Sequence, residues 1–436
     1  MARRICAFLP LVTCISSVAL AEPTIYRGTL GKHDIVVELS DDITSAGEPV
    51  AGRYFYPAQG VDIPLDPVST NSGKAVLDEE KACNRKICTY PGGEEKTKAP
   101  VEARWHLTAA PNGALEGSWQ RKGASPLPIR LDRIATRAKG ELFSATPEGL
   151  ADILITLLHT DDKPLDPAVS PYDILKMQVR LQEGPETMWG DVAFRFVVDP
   201  RTKVAFPRIT RLESPIDTDH PANLYLQSQH WRWNLDALSC KAKQYAGLGW
   251  TNIYPAESGP DLGGIDELTI QVEYLSPAIM SWSETGSIFC GGAHPSHIAN
   301  AVTLDVKRGE RFDVSRIFRS WVPSSIGDNK RVDLAQARAN PNAYSWGPDN
   351  EFRAFLLKRA KEKGNDLPGE CELGDVIKDH LEVSFKQGDQ AVFALNGLPH
   401  AISGVCQGAF LEAPLRDFRD FLTPEAVDYF PSLRAP

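Results

Sequence analysis

The chain has 436 residues, with 57 acidic against 47 basic side chains and a formal net charge of −10. This balance argues against nucleic acid and against an anionic membrane surface as partners, because phosphate binding depends on clustered lysine and arginine. Hydrophobic residues make up 42% and charged residues 24%, which is typical of a folded globular protein and excludes a disordered one.

The first 21 residues have the pattern of a secretory signal peptide. A basic start at residues 3–4 is followed by an apolar stretch and a small-x-small ending at Ala21 that signal peptidase accepts. The apolar run is too short and too polar to span a bilayer. The alternative is a lipoprotein anchored at Cys14, but Thr13 is a poor residue before a lipidated cysteine. Cleavage after Ala21 predicts a periplasmic or secreted protein without stable membrane insertion.

Six cysteines follow the predicted cleavage point. An even number of cysteines in an exported protein indicates disulfide bonds, although six cysteines allow many pairings. Zinc is the competing interpretation, and it is disfavoured because no second Cys or Cys/His pair accompanies the closely spaced Cys83 and Cys88. We therefore predict no metal and no cofactor. Pairing of nearest neighbours predicts the disulfides Cys83–Cys88, Cys240–Cys290 and Cys371–Cys406.

Residues 24–134 are predicted to form a small all-β module. Short runs of β-branched and aromatic residues alternate there with glycine, proline and aspartate, as strands and turns require. Trp105 and Trp119 fall on neighbouring strands and are expected to share one core. Tyr54, Phe55 and Tyr56 are interpreted as alternating core and surface side chains in preference to an aromatic platform for sugars. The predicted strands cover residues 35–39, 52–56, 75–77, 101–107, 115–119 and 129–131.

Residues 145–430 are predicted to form a larger α+β domain with an antiparallel sheet, because strands and helices mix there without βαβ regularity. The strict alternation over residues 268–275 marks a half-buried strand. Further strands are predicted at residues 279–289, 299–306, 311–314, 381–385, 391–395 and 409–411. Helices are predicted at residues 146–157, 221–245, 349–363 and 415–421, the second of them burying Leu224, Trp231, Leu235 and Leu238.

The most specific segment of the sequence lies between residues 290 and 318. It reads Cys290-Gly291-Gly292-Ala293-His294-Pro295, then Thr303-Leu304-Asp305-Val306, Gly309-Glu310-Arg311-Phe312 and Ile317-Phe318. This segment resembles the Gly-Gly-Ala-His signature of an extracytoplasmic domain of unknown function. That domain occurs in lysozyme-sensing anti-sigma factors and beside the catalytic domain of some peptidoglycan deacetylases. The resemblance covers residues 200–424, and residues 24–134 are similar, more weakly, to the β module that often precedes such domains.

The resemblance implies a non-enzymatic cell-envelope protein that binds a lysozyme-like muramidase or peptidoglycan. Its ligand- or partner-binding residues would be Gly291, Gly292, Ala293, His294, Pro295 and His297. Many relatives have a Tyr-rich strand and an Ala-Gly turn where this chain has residues 398–406, so the identity of the partner does not carry over. The deacetylase activity does not carry over either, because the chain shows no such catalytic domain.

Residue chemistry by itself offers three weaker candidates. His294 and His297 lack the third ligand that a metal site usually needs, and a structural role in a glycine-rich turn is favoured for His294. Trp231 and Trp233 lie on different faces of one predicted helix, where packing is favoured over stacking on a sugar. The adjacent carboxylates Asp41-Asp42, Glu79-Glu80 and Asp161-Asp162 are predicted to be solvated surface.

The sequence contains no hydrolase motif and no phosphate-binding loop, so no catalytic residue is assigned. Two alternatives to a binding protein stay open. One is an enzyme, or an enzyme subunit, that acts on cell-wall glycans through His294 and a carboxylate. The other is a structural envelope protein without a small ligand.

Overall fold

A computed structural model describes residues 23–44, 49–82, 87, 91, 100–137, 165–242, 245, 264–265, 268–289, 296–325, 332–364 and 371–434. Over these residues the protein is mostly β, with some helices. The predicted signal peptide, the predicted helix over residues 146–157 and Cys83, Cys88 and Cys290 lie outside the described residues. No helix in the described part of the chain is long and apolar enough to cross a membrane.

The N-terminal strands form a closed antiparallel barrel in which neighbours in sequence pair with each other and the last strand pairs with the first. This confirms the all-β prediction for that region. The first and fourth strands were missing from the predicted set, and Pro64 and Pro67 obscure the strand pattern of the fourth. The strands are β1 (Thr24–Leu30), β2 (His33–Leu39), β3 (Gly52–Phe55), β4 (Ile63–Asn71), β5 (Lys74–Glu80), β6 (Val101–Ala109), β7 (Leu115–Arg121) and β8 (Leu127–Thr136).

The interior of the barrel is packed with aliphatic and aromatic side chains. Trp105 is fully buried, and Trp119 lies directly opposite it across the β6–β7 pair and packs against the same cluster. The prediction that the two tryptophans share one core is confirmed. Tyr54 also points into this cluster, and it is 1% exposed, so it is a core residue.

Four further groups of strands follow the barrel, and all of them are antiparallel. A three-stranded sheet contains β9 (Gln182–Trp189), β10 (Val192–Val198) and β11 (Ala205–Arg211). A five-stranded sheet contains β12 (Gly264–Ile265), β13 (Thr269–Leu275), β14 (Ile279–Phe289), β15 (Ser296–Asp305) and β16 (Glu310–Arg311). The hairpin β17 (Trp321–Ser325) and β18 (Tyr344–Pro348) and the sheet β19 (Leu381–Lys386), β20 (Gln390–Leu395) and β21 (Gly408–Pro414) complete the set.

The helices of the described residues lie between and after these sheets. They are α1 (Pro171–Met177), α2 (Pro221–Ala242), α3 (Leu334–Ala339), α4 (Asn350–Glu362), α5 (Leu373–Val376), α6 (His400–Cys406) and α7 (Ala426–Tyr429). Asp349 caps α4 by accepting a hydrogen bond from the Phe352 backbone N–H at 2.9 Å, and Gly364 follows with φ 72°, as the predicted end of that helix requires.

One predicted strand is wrong in detail. The strand expected at residues 311–314 shrinks to Glu310–Arg311, because the chain turns into a short 3-10 helix at Val314–Arg316. The terminal helix predicted at residues 415–421 is present as the 3-10 helix Leu415–Phe421. Leu224, expected on the buried side of α2, is 45% exposed, whereas Leu235 and Leu238 are buried as predicted.

Helix α1 is attached to the outer face of the barrel by buried charges. Lys176 Nζ lies 2.6 Å from Asp62 Oδ2, and the Tyr172 hydroxyl donates to Asp62 Oδ1 at 2.7 Å. Arg53 bridges the same aspartate, at 3.2 Å, to Glu38, at 2.7 Å. The opposite charges and hydrogen bonds offset the cost of removing these groups from water.

The C-terminal sheets surround an aromatic core that includes Phe318, Phe352, Phe393 and Phe418. Cys371 and Cys406 form a disulfide at the edge of this core, with their Cα atoms 5.5 Å apart, which confirms that predicted pair. Cys240 is buried and also disulfide-bonded, but the predicted pairs Cys83–Cys88 and Cys240–Cys290 each involve residues outside those described.

Candidate ligand-binding cleft

A cleft of about 740 Å³ opens in the C-terminal half of the chain. Strands β15 and β19 contribute Ala301, Thr303 and Glu382 to its lining. The rest of the lining comes from residues 308–316, which follow β15, and from the β17–β18 hairpin with α3. The cleft therefore forms where four separate parts of the sequence meet.

Aromatic side chains line one part of this cleft. Trp321 is buried on β17, while Trp346 on β18 is partly exposed and donates from its indole N–H to the Pro341 carbonyl at 3.2 Å. Pairing of β17 with β18 places Pro323 opposite Trp346 and so fixes the position of its backbone. A partly exposed indole held at one edge offers a flat apolar surface to a ligand.

Two arginines are held firmly at the cleft. Arg338 donates to Asp313 Oδ2 at 2.9 Å and to the Ser315 hydroxyl at 2.8 Å. Arg316 lies 2.7 Å from Glu425. Burial by itself would lower the pKa of Arg316, but the hydrogen bond and the charge of Glu425 raise it above the usual arginine value. Both cations are therefore permanent parts of the wall.

Two other arginines of the lining are more exposed. The side chain of Arg311 is 52% exposed, and its guanidinium lies 3.7 Å from Glu382. The side chain of Arg308 is 45% exposed and lies 3.4 Å from Asp305 and 3.7 Å from Glu310. Exposed pairs at such distances contribute little to stability.

Glu382 is a fixed acceptor on the floor of the cleft. Its Oε1 accepts from the Asn396 side chain at 3.0 Å, and its Oε2 accepts from the Ala301 backbone N–H at 3.1 Å. Asn396 also donates to Asn300 at 2.9 Å. The cleft thus combines carboxylates, exposed guanidinium groups and an indole, which suits a polar ligand with both hydroxyl groups and negative charge.

The structure places only one of the predicted binding residues within its described range. Gly291, Gly292, Ala293, His294 and Pro295 lie outside the described residues. His297 is exposed near the start of β15, opposite Ser287. It lies four residues before Ala301, roughly 13 Å along the strand from the cleft. The role of this loop in binding stays a prediction.

The sequence analysis missed the residues that line the cleft. Arg308, Arg311, Arg316 and Arg319 fall within one short stretch, and this local excess of arginine in an acidic chain was the available signal. Trp346 carries no signal of its own, because only the pairing of β17 with β18 brings it to the cleft.

One prediction about surface carboxylates is wrong. Glu79 and Glu80 are 7% and 8% exposed, so they are buried and not solvated. Glu79 is an interior residue of the barrel that hydrogen-bonds to aromatic side chains. Asp161 and Asp162 lie outside the described residues. Trp231 and Trp233 are both partly buried against apolar clusters, as the packing interpretation expected.

Within the described residues, no group of three or more His, Cys, Asp or Glu side chains is arranged to hold a metal ion. Neither a protein-family model nor a curated protein matches this chain. The resemblance to the extracytoplasmic domain therefore depends on the motif residues alone.

Proposed function

We propose that this chain is an exported cell-envelope binding protein whose cleft takes a carboxylate-bearing wall glycan of the peptidoglycan type. The observation that carries the proposal is the presence of Arg308, Arg311 and Trp346 in one cleft of about 740 Å³. That volume falls within the range of about 300–1,000 Å³ typical of small-ligand pockets, which an oligosaccharide of a few sugar rings can fill.

Each part of the cleft has a counterpart in such a ligand. A sugar ring presents an apolar face that can stack on Trp346, in the way that apolar ligand surface packs on aromatic side chains. The planar guanidinium of Arg311 matches a carboxylate with two parallel hydrogen bonds. Glu382 and Arg338 both line the cleft, so an acceptor and a donor are present for the ring hydroxyl groups.

The same geometry favours binding over hydrolysis. Hydrolysis of a glycosidic bond needs two carboxyl groups that act as acid and base, or as acid and nucleophile, across that bond. Each of the three carboxylates in the cleft lining lies beside an arginine instead: Asp313 beside Arg338 at 2.9 Å, Glu382 beside Arg311 at 3.7 Å and Glu310 beside Arg308 at 3.7 Å. These carboxylates hold the cationic wall in place.

Calorimetric titration of the purified, oxidised protein with soluble muropeptides tests the proposal. We expect saturable binding, and binding about tenfold weaker to chito-oligosaccharides of equal length, which lack the carboxylates. Arg311→Gln should weaken muropeptide binding about tenfold, because it removes the bidentate donor. Arg319→Gln is the matched control, since Arg319 is exposed and lies outside the cleft lining. Equal affinity for both ligands would contradict the proposal.

A second candidate, a lysozyme-like muramidase as the partner, is favoured by the net charge of −10. Acidic side chains would speed association with a cationic enzyme, and added salt would weaken it. A lysozyme assay in the same series distinguishes the two. Stoichiometric inhibition of lysozyme without muropeptide binding would identify the muramidase as the partner. Residues 291–297 would then be the first targets for mutagenesis.

The organisation of the chain forms part of the proposal. We propose that a signal peptide over residues 1–21 is removed, that residues 24–134 form the small β module, and that residues 145–430 form one α+β domain. The disulfide Cys371–Cys406 supports an oxidising compartment, although only weakly.

A further inference from the structure

A buried carboxylate occupies one end of the barrel interior. Glu79 is the last inward-facing residue of β5, after Ala75 and Leu77, and it is 7% exposed. It pairs across the strands with Leu65 and Ala103, neither of which carries a polar side chain. Burying a charged group in such surroundings costs free energy unless a partner compensates for the charge.

Within the described residues, the hydrogen bonds of Glu79 engage only one of its two oxygens. Oε2 accepts from the Tyr54 hydroxyl at 2.9 Å, from the Trp105 indole at 3.0 Å and from the Trp119 indole at 2.9 Å. No described residue donates to Oε1, and Glu79 forms no ion pair with any lysine or arginine that the structure describes. The described part of the chain therefore supplies no counter-ion to this carboxylate.

The aromatic side chains that donate to Glu79 belong to a larger aromatic cluster. Tyr54 lies 5.5 Å from Tyr56 and 4.9 Å from Trp105, measured between ring centroids. Trp119 and Tyr245 pack against the same cluster, and Tyr245 comes from the segment that follows α2. Tyr56, Trp119 and Tyr245 are each only partly buried, so this end of the barrel opens to solvent.

Burial raises the pKa of the Glu79 carboxyl above its usual value, and the three hydrogen bonds to Oε2 compensate only in part. Burial and the charge of Glu79 also raise the pKa of Tyr245. The first cause of both shifts is burial, which disfavours the charged form of each group. A cation placed among the rings would remove that cost and would also be attracted to the negative faces of the aromatic side chains.

We propose that this end of the barrel, formed by Glu79 with Tyr54, Tyr56, Trp105, Trp119 and Tyr245, binds an alkylammonium group. Glu79 acts as the counter-ion through Oε1, and the partly exposed rings form the walls. The site lies in the barrel and uses none of the cleft residues, so it stands independently of the glycan proposal.

Tryptophan fluorescence of the full-length oxidised protein tests the site, with choline as the probe, because Trp105 and Trp119 are part of the cage. The matched ligand is 3,3-dimethylbutan-1-ol, which has the same shape as choline but no charge. We expect saturable quenching or enhancement by choline, and an affinity for the alcohol at least about tenfold lower.

Glu79→Gln is the decisive variant, because its amide oxygen keeps the three hydrogen bonds while the charge is lost. Choline binding should weaken at least about tenfold in this variant. Glu102→Gln is the control: Glu102 is a carboxylate on the same β5–β6 pair, engaged by Lys81 and Arg121 on the outside of the barrel, and should change binding less than about twofold. Tyr56→Ala, which removes a partly exposed wall, should also weaken binding.

Equal binding of choline and its neutral analogue would overturn the proposal, and so would unchanged choline affinity in a folded Glu79→Gln protein. If Glu79→Gln fails to fold, Tyr56→Ala decides the question alone, since Tyr56 follows β3 and is only partly buried. Absence of any saturable response to choline overturns the proposal as well.

Discussion

Buried polar side chains show how this interior accommodates charge one residue at a time. Arg208 is buried and forms no ion pair with a carboxylate of the described residues; it donates to the Pro207 carbonyl at 2.8 Å and contacts His230 Nδ1 at 3.2 Å. Burial lowers the pKa of Arg208 to about 9. Burial and the nearby arginine lower the pKa of His230 to about 3. His230 is therefore neutral, with Nε2–H donating to the Val204 carbonyl at 3.1 Å and Nδ1 accepting from Arg208.

Asp236 on α2 gives a prediction at the residue scale. It is 5% exposed, its Oδ1 has no hydrogen-bond partner, and burial raises its pKa to about 7, against a smaller opposing effect of Arg232. A raised pKa means that the folded state holds the proton more tightly. The stability due to the protonated form is fully present below about pH 4 and is lost as the pH rises to about 7.

Asp236→Asn should remove that loss, because an amide stays neutral at every pH. As the pH rises from 5 to 8, the free energy of unfolding of the variant should increase by about 2–3 kcal/mol relative to that of the wild type. Urea unfolding at the two pH values measures the difference. Asp219→Asn, at an exposed position, is the control and should follow the wild type. A constant difference between Asp236→Asn and wild type would show that Asp236 is ionised in the fold throughout this range.

At the scale of elements, closure of the barrel depends on how closely β1 approaches β8. Gly28 faces Leu131 across this pair, and a Cβ atom added at Gly28 would lie 1.8 Å from the Arg130 carbonyl oxygen. No side chain fits there without separation of the two strands. The closing strand pair therefore requires glycine at this position.

Gly28→Ala should destabilise the protein by about 2–4 kcal/mol, because it forces apart the strands that close the barrel. Thermal unfolding followed by circular dichroism measures the change. Gly404→Ala on α6 is the matched control, since a Cβ there meets no atom within 4 Å, and it should raise stability slightly through helix propensity. A Gly28→Ala protein as stable as the wild type would mean that the barrel closes by another register.

The elements that sequence patterns identified are those with a strong local signal. The alternation of residues 268–275 predicts β13, and Asp349 with Gly364 predicts the two ends of α4. Strand β4 was not predicted because its two prolines resemble a loop, and Pro67 is accommodated by a register shift between Pro67 and Ser69. Local sequence cannot show such a compensation, since it depends on the neighbouring strand.

At the scale of the whole molecule, the disulfide Cys371–Cys406 joins residues separated by 35 positions and closes a loop that contains β19 and β20. Replacing both cysteines by alanine should lower the free energy of unfolding by about 3–4 kcal/mol on the chain-entropy model. Urea unfolding of the double variant measures the loss. The single variant Cys371→Ala is compared with the wild type under reducing conditions, where neither protein has the cross-link. The difference in stability that is left then measures the packing lost with the cysteine side chain. An unchanged unfolding midpoint in the double variant would contradict this role.

The candidate cleft was less predictable than the fold. Arg308 and Arg311 are close in sequence, but Trp346 and Glu382 reach the same cleft from distant strands. The sequence offered the Gly291–His297 loop instead, because its motif is local and resembles a known family. Glu79 was misassigned for the same reason: adjacent carboxylates usually lie in water, and only barrel closure turns one of them inward.

The sequence by itself determined the features that depend on neighbouring residues, namely the strand and turn periodicity and the caps of α4. It also predicted an export signal and a pattern of disulfides. The tertiary structure alone decided which side chains share a space, because contacts between distant segments depend on how the sheets close and pack. Barrel closure buried Glu79 among aromatic rings, and the meeting of β15, β17–β18 and β19 placed arginines beside an indole. Both candidate sites arise from packing between elements, which no local pattern encodes.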